Sequence, residues 1–204
     1  MEIKKKRWKN RLLSLVSILM LLGGVYVLYN VFSPMMTQPN PDNNSTTKLL
    51  AETPEESIKE NRLYIPKIDI NLPYAKGGAG VMERGAWWRS PNSGNPKDGG
   101  NFVLSAHRFI MGLTPQQTQR KSPFYNINRL EIGDNIIIDY HKQRYEYKIT
   151  EVFSVRPEDV KIEKRTEEPR LTLYSCTLGG ADDGREVIIA EPVKKSEPKQ
   201  KSAS

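Results

Sequence analysis

Residues Leu12 to Phe32 run for 21 positions without a charge, and only Ser14, Ser17 and Asn30 interrupt them with clear polarity. As a helix rising about 1.5 Å per residue the run spans roughly 31 Å, the thickness of a bilayer's hydrocarbon core. That length constrains the chain more than any other feature, because so long an apolar helix belongs in a membrane. Tyr26 and Tyr29 fall toward its far end, where aromatic rings suit the interface. Lys4, Lys5, Lys6, Arg7, Lys9 and Arg11 precede it. By the positive-inside rule, residues 1–11 read as a cytoplasmic stub, 12–32 as a single-pass transmembrane signal anchor, and the remainder as extracellular. A cleaved signal peptide has a shorter apolar core, about 7–15 residues, ending at a small-x-small site. Val31-Phe32-Ser33-Pro34 offers no such site, which favours an uncleaved anchor.

The formal charge of +7 suggests a nucleic-acid or membrane partner until it is located. Residues 1–11 carry a net +5 and the tail 194–204 a net +3, which leaves 12–193 at −1. A nearly neutral body argues against nucleic acid. Residues 33–57, rich in Pro, Asn, Ser and Thr and without apolar periodicity, read as a flexible linker. The folded domain is placed at 58–192, and 193–204 as a disordered basic tail.

About 135 residues suit one core and not two. Within them, short extended segments alternate with Gly/Pro turns, among them Leu63–Ile65, Leu72–Ala75, Phe102–Ser105, Ile136–Tyr140, Tyr145–Ile149 and Leu171–Thr177. The absence of a long amphipathic helix makes this an all-β barrel or sandwich. The polar segment from Gly112 to Ser122 and the charged stretch 154–169 read as loops, the latter with a short helix. No internal repeat, phosphate-cradling glycine loop or metal-ligand cluster is present. Glu158, Asp159, Glu163, Glu167 and Glu168 have the chemistry of calcium ligands, but they are interleaved with Lys161, Lys164 and Arg165. A solvated face is the simpler reading, and no cofactor is expected.

Cys176 is the only cysteine, at the end of the strand Leu171-Thr172-Leu173-Tyr174-Ser175-Cys176-Thr177. Arg185 opens the next apolar run nine residues later, so two strands joined by a loop would set the two side chains together. A fixed positive charge beside a thiol favours the thiolate. A lone cysteine is often just a small buried hydrophobe. In an exported chain, however, an unpaired thiol is exposed to oxidation, which favours use over idleness. His107 ends an alternating strand, Asn101 to His107, and is the better candidate for an acid or base. His141 sits in Tyr140-His141-Lys142-Gln143, a polar hairpin turn.

Thr172-Leu173-Tyr174-Ser175-Cys176-Thr177 with Arg185 after it and Ala106-His107 upstream resembles the sortases, cysteine transpeptidases of bacterial surfaces. Ile65-Pro66-Lys67-Ile68 and Phe124-Tyr125-Asn126-Ile127 extend the resemblance over nearly all of 61–191. Ser175 departs from it, since many members carry Thr before the cysteine. The resemblance implies a closed eight-stranded β-barrel with short helices in its loops. It implies Cys176 as nucleophile, His107 as general acid/base, Arg185 as oxyanion or substrate-positioning residue, and Ser175 and Thr177 as substrate-binding neighbours. The implied substrates are secreted proteins with a Leu-Pro-x-Thr-Gly-like sorting signal, joined to a peptidoglycan-precursor amine. No second hydrophobic segment follows the domain and no lid motif precedes it, which argues against the pilus-polymerising group. A secreted cysteine peptidase, and a non-catalytic anchored β-domain that binds a wall component, are the alternatives.

Overall fold

The computed structural model describes residues 2–36 and 45–193. Residues 37–44 of the linker and 194–204 of the basic tail lie outside the described residues. Helix α1, Glu2–Met36, is 35 residues long and carries the apolar run; Pro34 marks its last turn. Its segment Trp8–Met36, in which an 18-residue window reaches a mean hydropathy of 2.3, is long and apolar enough to cross a membrane.

The rest of the chain is built from nine strands: β1 (Arg62–Ile65), β2 (Ile70–Ala75), β3 (Ala86–Trp88), β4 (Gly94–Asn95), β5 (Gly99–Ser105), β6 (Asn135–Tyr140), β7 (Gln143–Val155), β8 (Arg170–Thr177) and β9 (Gly180–Pro192). They hydrogen-bond in the order β3-β2-β1-β6-β7-β9-β8-β5, and β3 pairs with β5 to close the ring. Eight strands thus form the expected barrel, and the two-residue β4 adds a short ribbon to β5. Closure leaves no long free edge for another chain to pair with. All pairings are antiparallel except β2–β3 and β5–β8.

The barrel fills with alternate residues of its strands. Leu63, Ile65, Phe102, Leu104, Ile136, Ile138, Leu171 and Leu173 point inward and are fully buried. Phe102 packs edge-on against Trp88 and Tyr74, with ring centroids 5.1 Å and 5.4 Å away. A second, smaller cluster lies outside the sheet, where Val103, Tyr174, Val187 and Ile189 pack under Ile162. Strands β5 and β8 are therefore covered on both faces, which explains why their burial is continuous. The cover is the stretch between β7 and β8, with a 3₁₀ turn at Val160–Glu163, as expected for a long loop with a short helix.

Two segments differ from the sequence reading. In the stretch 33–57, taken as a flexible linker, residues Ser45–Glu52 form helix α2. Its first turn is fastened to the barrel: Ser45 Oγ and the Thr46 backbone N–H both donate to the Asp69 carboxylate, at 2.8 Å and 2.9 Å. A carboxylate at a helix N-terminus meets free N–H groups there, so a distant residue organises a segment with no apolar pattern of its own. The polar segment 112–122 contains helix α3, Pro115–Lys121, capped by Thr114 with Pro at its first position. Thr-Pro is a start signal, but the six polar residues after Pro115 show no apolar face.

The hairpin turn at His141-Lys142 has both residues at positive φ, 48° and 67°, in keeping with a two-residue turn between β6 and β7. Replacing Phe102 by Ala should lower the stability of the full chain in detergent by about 3–5 kcal/mol, measured by denaturant unfolding.

Candidate active site

The parallel pairing of β5 with β8 sets two strand ends side by side. The last register pair is Ser105 with Tyr174. Two residues further along each chain stand His107 and Cys176. On the other side of β8, the β8–β9 register pairs Cys176 directly with Arg185. Three adjacent strands, β5, β8 and β9, therefore bring three residues, separated by up to 78 positions, to one end of the sheet.

They line a single cavity of about 220 Å³ on the outer face of the barrel. Met82 and Trp87 form one wall, and Val160 and Ile162 of the covering stretch form the other. A larger groove of about 490 Å³ runs between Pro34, β2 and α3 but contains neither Cys176 nor His107. The smaller cavity is the one with reactive side chains. Cys176 is a free thiol, half-buried. Glu83 Oε1 lies 3.5 Å from His107 Nε2, and the His107 carbonyl accepts from the Phe124 N–H at 3.1 Å. Arg185 Nη1 donates to the carbonyls of Ala181 and Gly184 at 2.8 Å and 2.9 Å. Those bonds hold the guanidinium by one nitrogen and leave Nε and Nη2 for a ligand.

Ser175 and Thr177 do not line this cavity. Side chains alternate along a strand, so Tyr174 and Cys176 face the cavity while Ser175 faces the barrel interior. There Ser175 is buried and its Oγ donates to the Ala106 carbonyl at 2.8 Å. It ties the cysteine strand to the residue before His107. Thr177 lies past a register shift in the β8–β9 pairing, and its hydroxyl bonds the Asp183 carboxylate. A second tie lies beside it: buried Arg108 bonds Glu186 and Asn128, linking the residue after His107 to the residue after Arg185.

The covering stretch is held by two polar side chains that periodicity did not single out. Asn101, fully buried, donates from Nδ2 to the carbonyls of Ile162 and Lys164, both at 2.8 Å, and accepts from Thr172 Oγ1 at 2.6 Å. Glu163 accepts from Tyr174 Oη at 2.6 Å, Arg89 Nε at 2.9 Å and Ser90 Oγ at 3.0 Å. Arg89 also stacks over the Trp87 ring, 4.3 Å from its centroid. Of the acidic set weighed as calcium ligands, Glu163 is thus engaged with these donors, and Asp159 accepts from the Lys161 N–H. Among the described residues no three His, Cys, Asp or Glu side chains are grouped to hold a metal. The signal for Asn101 and Thr172 was present in the sequence as polar residues inside otherwise apolar strands.

A closed β-barrel with a thiol, an imidazole and a guanidinium in one cavity has the make-up of a cysteine enzyme. The sequence model of the sortase domain matches residues 63–193. The chain belongs to the sortase family, whose members are transpeptidase enzymes. It is 31% identical to the sortase SrtE1 of Streptomyces coelicolor over 108 residues, 49% of this chain and only 28% of that protein. It is 21% identical to sortase A of Staphylococcus aureus over 214 aligned positions, covering 93% of this chain and all of that one. Its fold matches the crystal structure of Listeria monocytogenes sortase A with a TM-score of 0.56 at 23% identity, over 66% of this chain and 86% of that one.

Burial acts to raise the Glu163 carboxyl, but the hydrogen bonds from Tyr174, Arg89 and Ser90 outweigh it and hold the group below the ordinary carboxylate range. Its stabilisation is therefore complete above the ordinary carboxylate pKa and is lost as pH falls through the depressed folded value. Hydrogen exchange at residues 160–164, corrected for intrinsic rate, should accelerate on acidification through that range. Glu163→Gln should raise exchange at neutral pH and remove the acid-side dependence.

Proposed function

We propose that the protein is a membrane-anchored sortase that cleaves a Leu-Pro-x-Thr-Gly-like signal between Thr and Gly and joins the surface protein to an amine of the cell wall. The observation that carries this reading is the shared cavity of Cys176, His107 and Arg185, with Cys176 and Arg185 directly paired across β8 and β9. The anchor is α1, with its basic end on the cytoplasmic side and the barrel outside.

The Cys176 thiolate attacks the Thr carbonyl carbon, and charge moves to the carbonyl oxygen. The free Nε and Nη2 donors of Arg185 meet that oxygen, where planar fixed donors stabilise developing charge most. Protonated His107 gives its proton to the amide nitrogen as the C–N bond breaks. The Gly-bearing fragment leaves as an amine and a thioester remains on Cys176. The acceptor amine then attacks the thioester, passes its proton to His107 and forms the new amide, returning the thiolate. The apolar Met82, Val160 and Ile162 side chains give the Leu-Pro part of the signal a surface to pack on. The 154–169 stretch, which supplies two of the three, sets the preference among signals.

The test is to incubate the full chain in detergent with a quenched Leu-Pro-x-Thr-Gly peptide library and an amine acceptor, and to weigh enzyme and products. A thioacyl adduct on Cys176 with ligated product is the expected result. An adduct that only hydrolyses makes the protein a peptidase, and no adduct from folded protein with a free thiol makes it a binding domain. Cys176→Ala should abolish the adduct. Arg185→Ala should slow acylation by about 10²–10³-fold, the size of a lost oxyanion donor, with little change in peptide affinity.

A further inference from the structure

The external end of α1 is bonded to the catalytic domain along one helix face. Tyr26 Oη donates to the Leu113 carbonyl at 2.7 Å. Asn30 Nδ2 donates to the Gly112 carbonyl at 2.9 Å, and Asn30 Oδ1 accepts from Thr118 Oγ1 at 2.5 Å. Gln119 Nε2 reaches the Ser33 carbonyl at 3.2 Å. Tyr26, Asn30 and Ser33 are spaced four and three apart, as neighbours on one helix face must be.

The chain segment that meets this face is a loop with an apolar tip. It runs on from His107-Arg108, passes Asn30 at Gly112, reaches down to Tyr26 at Leu113, and returns to the level of Ser33 in α3. The tip is held firmly, since the Leu113 N–H donates to Gln117 Oε1 at 3.0 Å and its carbonyl takes the Tyr26 bond. Yet the Leu113 side chain is 82% exposed and that of Met111 is 56% exposed. A backbone fixed this well around a bare leucine calls for an apolar partner.

Length arithmetic names that partner. Tyr26 to Phe32, the end of the apolar run, lies within the part of α1 that the domain overlaps. If the domain stayed clear of the bilayer, only Leu12 to Val25 would remain inside it, about 21 Å of helix against a core of about 30 Å. Bringing the whole run into the membrane carries Leu113, at the level of Tyr26, in with it. Exposed Arg120 and Lys121 then follow Gln119, which marks the level of Ser33, where lipid phosphates lie.

We propose that the Met111–Leu113 tip enters the outer leaflet of the bilayer beside α1, with Arg120 and Lys121 against anionic headgroups, so that the catalytic domain is fixed to the membrane at two points. This rests on the reading of α1 as a membrane span. The tip begins four residues after His107, so the active-site cavity is held at a set height and tilt above the lipid.

The test uses the full chain with Cys176→Ala, reconstituted in phosphatidylcholine–phosphatidylglycerol vesicles and carrying one nitroxide label at a time. Labels go on Leu22→Cys in α1, Leu113→Cys and Met111→Cys at the tip, and Val152→Cys, exposed on β7. Collision with oxygen and with a water-soluble nickel chelate is read at each position. The expected result is that positions 22, 113 and 111 are all shielded from nickel, severalfold relative to 152, and open to oxygen. Shielding at 22 with nickel access at both tip positions equal to that at 152 overturns the proposal and leaves the anchor intact. Nickel access at 22 as well overturns the anchor reading and the proposal with it.

Discussion

The parallel ladder between β5 and β8 is the constraint on which the site depends. Antiparallel neighbours arise locally from hairpins, as β6–β7 and β8–β9 do here. A parallel pair needs a long crossover, and this one takes up everything from Ala106 to Pro169. That crossover is where α3, the hairpin β6–β7 and the covering stretch are inserted. The ladder's register, which matches Ser105 to Tyr174, sets His107 level with Cys176. A slip of one residue would turn the thiol into the barrel and Ser175 out to the cavity. The inward bond from Ser175 to the Ala106 carbonyl and the adjacent Arg108–Glu186 pair both act against such a slip.

The second dependence is the covering stretch. The outer faces of β5 and β8 carry Val103 and Tyr174, which would be exposed apolar surface without Ile162 above them. Ile162 stays there because Asn101 holds the carbonyls on either side of Glu163, while Glu163 itself is met by three donors. The same groups that roof the strands also shape one wall of the cavity. Packing and the shape of the cavity are thus set by one piece of chain, and a change of loop sequence alters both.

Local features were legible in the sequence, and distant ones were not. The Cys176–Arg185 pairing could be read because nine residues join two apolar runs, and a hairpin follows from that spacing. The long helix α1 could be read from the length of its apolar run. The level of His107 relative to Cys176 could not be derived from periodicity, since a strand's pattern does not say which strand lies beside it; it came with the family resemblance. Closure into eight strands came the same way. Asn101 and Thr172 stood out only as polar residues inside apolar strands, and nothing local showed that the loop above them would make them interior. Helix α2 was not legible at its full length, because its organiser, Asp69, lies beyond the segment itself. Asn30 was visible as an interruption of the apolar run, but its partners 82 and 88 residues further on were not.

Those partners give Asn30 a history as well as a place. A side-chain amide near the end of an apolar span is costly while it lacks partners. Gly112 and Thr118 are made after the span and take up their positions only when the loop after β5 has folded. Helix α1 is therefore not a finished element to which a separate domain is later attached. The last turns of α1 reach their lowest energy only when the loop after β5 has folded, so α1 and the barrel settle together.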